Sequence, residues 1–141
     1  MKLLFLCPTN SALSQLAEGL ARQLLGPGHD VRSAGLRASH VSLLAVRAMK
    51  ESGISIETQV SKSVAQLSEK FMREIDFAIS LGESDLAPDT IPMERRIHWP
   101  MIDPALERSS VEDQLQRFRQ ARDSLSSRLE EFALELRTLR N

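Results

Sequence analysis

Cys7, Asn10, Ser11 and Ser14 fall within one short stretch, CPTNSALS, between the apolar run MKLLFL and the helical-looking QLAEGLARQLL. Cys7 is the single cysteine of the chain, and it stands where a buried strand turns into a helix. At such a turn the unpaired N–H groups of the first helical turn and the helix dipole favour an anion. The anion would be the Cys7 thiolate or an oxyanion bound in front of it. Successive loop N–H groups can form a nest around a tetrahedral ligand. Asn10 tolerates the left-handed conformation that such a loop uses. The Ser14 hydroxyl can donate to the sulfur, and a charge-assisted bond of this kind is worth roughly 1.5–3 kcal/mol. The plainer alternative is that Cys7 is a small buried hydrophobe, as most lone cysteines are. Against it stands the cluster of polar residues, which a merely structural turn does not need.

Asp103 precedes Pro104 after a candidate strand. By itself this is weak, because Asp-Pro commonly opens a turn. His29, His40 and His98 have no metal-ligand spacing with Cys7, so no metal or resident cofactor is expected. His98 and Trp99 read as packing residues. Arg117, Arg119, Arg122, Arg128, Arg137 and Arg140 alternate with acids in the last segment and read as the solvated face of a helix.

These residues need a scaffold. Lys2–Cys7, 30–34, 76–81 and 96–99 are candidate strands, the first and third nearly continuous apolar runs of the kind that fill the centre of a parallel sheet. Between them Leu13, Leu16, Ala17, Leu20 and Leu24 recur at helical steps until Gly26-Pro27-Gly28 stops the pattern. A second helix is expected over 42–52 with Ser42 as N-cap, and a third over 64–73. The last is the clearest: Val111, Leu115, Phe118, Ala121, Leu125, Leu129, Phe132, Leu136 and Leu139 form one stripe, read as a sheet-packing face. Residues 83–95 are expected to lack strand structure. Alternating strands and helices predict an α/β fold, a parallel sheet with helices on both faces.

The chain has 141 residues and a formal net charge of -1, which is expected to form one domain over 1–141 and offers no field to gather nucleic acid or an anionic membrane. Its apolar runs fall far short of the ~20 residues that span a bilayer. MKLLFL is too short for the apolar core of a signal peptide. A reducing, cytoplasmic setting is expected for a chain with one cysteine.

LLFLCPTNSALSQLAEGLAR resembles the opening of the low-molecular-weight protein tyrosine phosphatase superfamily, whose loop runs from Cys through five residues to Arg and Ser. RSAGLRAS, LLAVRAMKESGISIETQVSKSV and HWPMIDPA are similar to its thioredoxin-type arsenate reductase branch. The resemblance implies a flavodoxin-like three-layer sandwich with a four-stranded parallel sheet in the order 2-1-3-4. It also implies that Cys7 is the nucleophile, Asn10 the loop-shaping residue, Ser14 the thiolate donor and Asp103 the general acid. Pro8, Thr9, Asn10, Ser11, Ala12 and Leu13 would then form the oxyanion-binding loop.

Two parts of that pattern depart from the superfamily. Leu13 stands where it has Arg, so the bidentate cation that would clamp the equatorial oxygens is missing. Thr9 stands where it has Gly, and a positive φ there would strain the backbone by about 1–3 kcal/mol. Arg37, in the turn after the second strand, is a candidate substitute cation. Gly82 occupies the position expected of a resolving cysteine, so no internal disulfide relay can run and an external low-molecular-weight thiol would be needed to reduce arsenate. The chain has no tyrosine, and Pro104 is followed by Ala105 and Leu106 where the phosphatase branch lines its cleft with tyrosines.

The implied substrate is a small oxyanion, arsenate or a phosphate monoester, handled by Cys7 and impaired by Leu13. The alternatives are a non-catalytic descendant that binds an oxyanion or a partner protein, and a changed chemistry in a more apolar pocket that accepts a different thiol-reactive substrate.

Overall fold

The computed structural model describes residues 1–106 and 108–140, the last two by their backbone alone. Four parallel strands form one sheet: β1 (Lys2–Cys7), β2 (Asp30–Gly35), β3 (Phe77–Gly82) and β4 (Arg96–Pro100), in the order β2-β1-β3-β4. The α-helices are α1 (Leu13–Leu25), α2 (Leu43–Glu51), α3 (Glu69–Glu74) and α4 (Val111–Arg140). This is a flavodoxin-like α/β sandwich, with β1 central and paired along its length to β2.

Side-chain alternation along β1 divides the core. Leu3, Phe5 and Cys7 pack with residues of α1, α2 and α4, whereas Leu4 and Leu6 pack with Phe71 and Ile75 around α3. A strand apolar on both faces can only be stable between two helical layers. Cys7 thus ends the central strand on the α1 side.

α1 buries Leu13, Leu16, Ala17 and Leu20 as its periodicity predicts, but Leu24 is partly exposed and Ala21 takes the buried position. α2 is capped as expected, the Ser42 hydroxyl accepting from the Ala45 N–H. The expected third helix is broken in two: a 3-10 turn over Val64–Gln66, an extended Leu67, then α3 with Ser68 as its N-cap. Ser68 accepts from the Phe71 N–H at 3.1 Å, and this side-chain bond starts a new helix instead of continuing the old one. In α4 the stripe from Leu115 to Leu136 is buried, while Val111 is exposed at the first turn; the side chains of Leu139 and Arg140 lie outside the described residues. Two of the arginines expected in solvent serve the packing instead. Arg119 and Arg122 bind Glu51, and Arg122 also donates to the Ala48 carbonyl, so they pin α4 to the end of α2. Trp99 lies against the edge of Phe132.

Among the described residues no helix is long and apolar enough to cross a membrane.

Candidate active site

The turn from β1 into α1 is built by carbonyls that bond outward. Pro8 O accepts the N–H groups of Leu36 and Arg37 at 2.9 and 3.3 Å, and Ser11 O accepts that of Ser42 at 2.9 Å. Thr9 O accepts the Ser61 hydroxyl. With its carbonyls tied to β2, α2 and the 60s segment, the loop leaves the N–H groups of residues 9–14 with no protein acceptor among the described residues. Unpaired amides at the start of a helix are a ready anion site.

Asn10 is the one non-glycine residue with positive φ among the described residues, at 52°. The strain expected at Thr9 therefore does not arise: the left-handed turn falls one residue later, on a side chain that tolerates it. Asn10 is fully buried, and its amide orientation is fixed by its partners. Its Oδ1 accepts from Gln15 Nε2 at 2.9 Å and from the Lys62 N–H at 2.9 Å. Its Nδ2 donates to Ser14 Oγ at 2.8 Å and to Ser33 Oγ at 2.9 Å.

Ser14 Oγ lies 2.7 Å from Cys7 Sγ, both buried. On the far side of Asn10, Ser33 donates to Glu18 Oε1 at 2.9 Å. Glu18 is 2% exposed and lies 3.3 Å from Arg22 and 3.8 Å from Lys62. A buried carboxylate is sustainable only with such partners. Burial in turn pushes the Lys62 ammonium below the ordinary lysine range, an effect that Glu18 partly offsets. The nucleophile candidate is thus joined by directed hydrogen bonds to a buried ion cluster.

Ser33, Glu18, Gln15 and Lys62 are not signalled by the loop's own spacing. Gln15 and Glu18 lie off the apolar stripe of Leu13, Leu16, Ala17 and Leu20, so the periodicity assigns them to solvent, and the structure buries them all the same.

Cys7 opens into a cleft of about 490 Å³. Pro8, Thr9, Ser11, Ala12 and Leu13 line it, with Arg37 and Asp103, so candidate residues from three separate stretches converge there. Asp103 Oδ1 accepts the Ala105 N–H at 2.9 Å, which fixes the carboxylate in the turn after β4. Arg37 is exposed and forms no ion pair among the described residues, leaving its guanidinium available to an anion. Leu13 is 3% exposed and belongs to the apolar core, yet it also lines the cleft. It serves as helix core and pocket wall together.

The opposite wall is the segment after β3, with Glu83, Ser84 and Leu86. Asp85 anchors it, accepting from Ser80 Oγ at 3.1 Å and the Ala87 N–H at 2.9 Å and pairing with Arg96 at 3.4 Å. Burial alone would raise the Asp85 pKa; the Ala87 N–H, the Ser80 hydroxyl and Arg96 outweigh it and hold the carboxyl below the usual range. Gly82, with φ +120°, starts this segment, and its carbonyl accepts from His98 Nε2 and the Met101 N–H.

A family model described as low molecular weight phosphotyrosine protein phosphatase matches residues 2–141. An arsenate reductase of Halalkalibacterium halodurans is 38% identical over 131 residues, 92% of this chain and 92% of that protein. The arsenate reductase of Bacillus subtilis is 39% identical over the same length, again 92% of each. Among solved structures, an arsenate reductase in the phosphate binding state superposes with a TM-score of 0.77 at 30% identity, covering 96% of this chain and 98% of that one.

Proposed function

Because the chain belongs to the low molecular weight phosphotyrosine protein phosphatase family, we propose that its Cys7 loop carries out the chemistry of the arsenate reductases it is similar to, with an external low-molecular-weight thiol as reductant. The observation that carries this reading is a sulfur held 2.7 Å from the Ser14 hydroxyl at the base of a loop whose amides have no protein acceptor. The loop of Pro8, Thr9, Asn10, Ser11, Ala12 and Leu13 cradles the oxyanion. Cys7 attacks arsenic, one As–O bond breaks, and the oxygen leaves as water after taking a proton from Asp103. A thiol then attacks Cys7 Sγ, the S–As electron pair passes to arsenic, and As(III) departs. A second thiol resolves the mixed disulfide. The external thiol is required because the chain has one cysteine.

Arg37 supplies the cation that Leu13 does not. From the rim of the cleft it adds charge without the fixed bidentate geometry of a loop arginine, so turnover is slow. Asp103 in the same cleft favours a second reading, hydrolysis of a phosphate monoester, in which water replaces the thiol in the second step.

The test compares wild type, Cys7→Ser and Leu13→Arg on arsenate with glutathione and on an aryl phosphate. Turnover of one substrate abolished by Cys7→Ser and raised about 10²–10³-fold by Leu13→Arg is expected, the range associated with one oxyanion-stabilising donor. Wild-type rates equal to those of Cys7→Ser on both substrates would leave the loop as a binding site without catalysis.

A further inference from the structure

We infer that the preferred substrate is an organic arsonate, a tetrahedral arsenic(V) oxyanion in which one oxygen is replaced by an apolar carbon group; this rests on the arsenate reductase-like reading of the Cys7 site. The position that would otherwise clamp two equatorial oxygens is filled by Leu13, an apolar residue among those lining the cleft. A wall of this kind complements carbon, not oxygen. The loop amides of residues 9–14 remain for the other oxygens.

The rest of the cleft agrees. Its volume of about 490 Å³ falls in the range of sites for drug-sized ligands, about 300–1,000 Å³, and is many times what a free oxyanion fills. Leu81, Leu86, Ile102 and Leu106 line it together with Leu13. Ile102 and Leu106 are 81% and 68% exposed, an apolar lip that gains by being covered. The charged residues of the lining are one cation, Arg37, and two acids, Glu83 and Asp103, and with Asp103 holding the proton it donates, Arg37 and Glu83 cancel. That balance disfavours a multiply charged inorganic ion, whereas an arsonate has one ionisable oxygen fewer than arsenate.

The reaction balances as it does for arsenate. The Cys7 thiol adds to RAsO(OH)2 with loss of water, forming a Cys7–S–As(V) bond. A monothiol attacks Sγ, the S–As electron pair moves to arsenic, and RAs(OH)2 leaves with the As–C bond intact. A second monothiol regenerates Cys7, so two thiols become one disulfide while arsenic goes from (V) to (III).

The experiment measures kcat/KM of the full chain for phenylarsonate and for inorganic arsenate with glutathione, following trivalent arsenic and subtracting the rate with Cys7→Ser. Phenylarsonate should be favoured about 30-fold, the size expected from burying one aromatic ring. Leu13→Arg should reverse the preference. Ile102→Ser, on an exposed side chain whose replacement does not threaten the fold, should reduce the preference about fivefold. Cys7-dependent turnover of arsenate equal to or faster than that of phenylarsonate overturns the inference and leaves the arsenate reductase-like reading standing. No Cys7-dependent turnover of either compound overturns both.

Discussion

Ser14 Oγ lies 2.7 Å from Cys7 Sγ and, because it already accepts a hydrogen bond from Asn10 Nδ2, turns its own proton toward the sulfur. The direction of this contact follows from the rest of the network. Asn10 Oδ1 is occupied by two N–H donors, which leaves only its Nδ2 to face the two serines. The hydroxyl is therefore a donor to the group that must carry negative charge when it attacks.

Ser14→Ala removes that donor. Alkylation of Cys7 by iodoacetamide at neutral pH is expected to slow about tenfold or more, from the loss of one charge-assisted hydrogen bond. An unchanged rate, with Cys7→Ser abolishing the labelling, would show that the hydroxyl does not support the thiolate.

Gly35 ends β2 against the loop. A Cβ there would lie 2.7 Å from Asn10 N and 2.9 Å from Pro8 O, both backbone atoms, so the loop itself must move to admit it. Gly35→Ala is expected to cost about 1–3 kcal/mol in urea unfolding and to slow Cys7 alkylation as well. Loss of stability with unaltered Cys7 reactivity would mean that the strand, not the loop, absorbs the change.

Asp85 links the cleft wall to acid stability. Its folded-state pKa is held below the ordinary 3.8, so in that acid range the unfolded chain binds the proton first. The resulting stabilisation is present above about pH 4 and is lost as pH falls through the folded-state value. Asp85→Asn is expected to cost about 1–2 kcal/mol at pH 7 and to flatten the fall of the urea midpoint between pH 4 and pH 2. An identical acid slope in wild type and variant would remove Asp85 from the account.

The parallel sheet is legible in the sequence because central strands must be apolar on both faces, and KLLFLC and FAISLG are nearly so. α1 is legible from its period and its glycine-rich stop. The break at Leu67 is not read from apolar spacing, since the pattern continues through it; a local cap at Ser68 decides it. At the site, Cys7, Asn10 and Ser14 are visible as a motif because its ends are seven positions apart. Lys62 meets Asn10 across 52 residues of chain, and Ser33 meets it across 23. Ser33 is selected by the register of β1 with β2, and Lys62 by the bridge that pairs Gly35 with Ser63; no local spacing encodes either.

The backbone at Gly82 bears on the chain's having a lone thiol. Its φ of +120° is rarely adopted by residues with a side chain, and two hydrogen bonds to its carbonyl, from His98 and Met101, hold that shape. A cysteine placed here would find room for its side chain but a strained backbone. A thiol placed at this one position would therefore carry a standing conformational cost that a thiol arriving from solution does not.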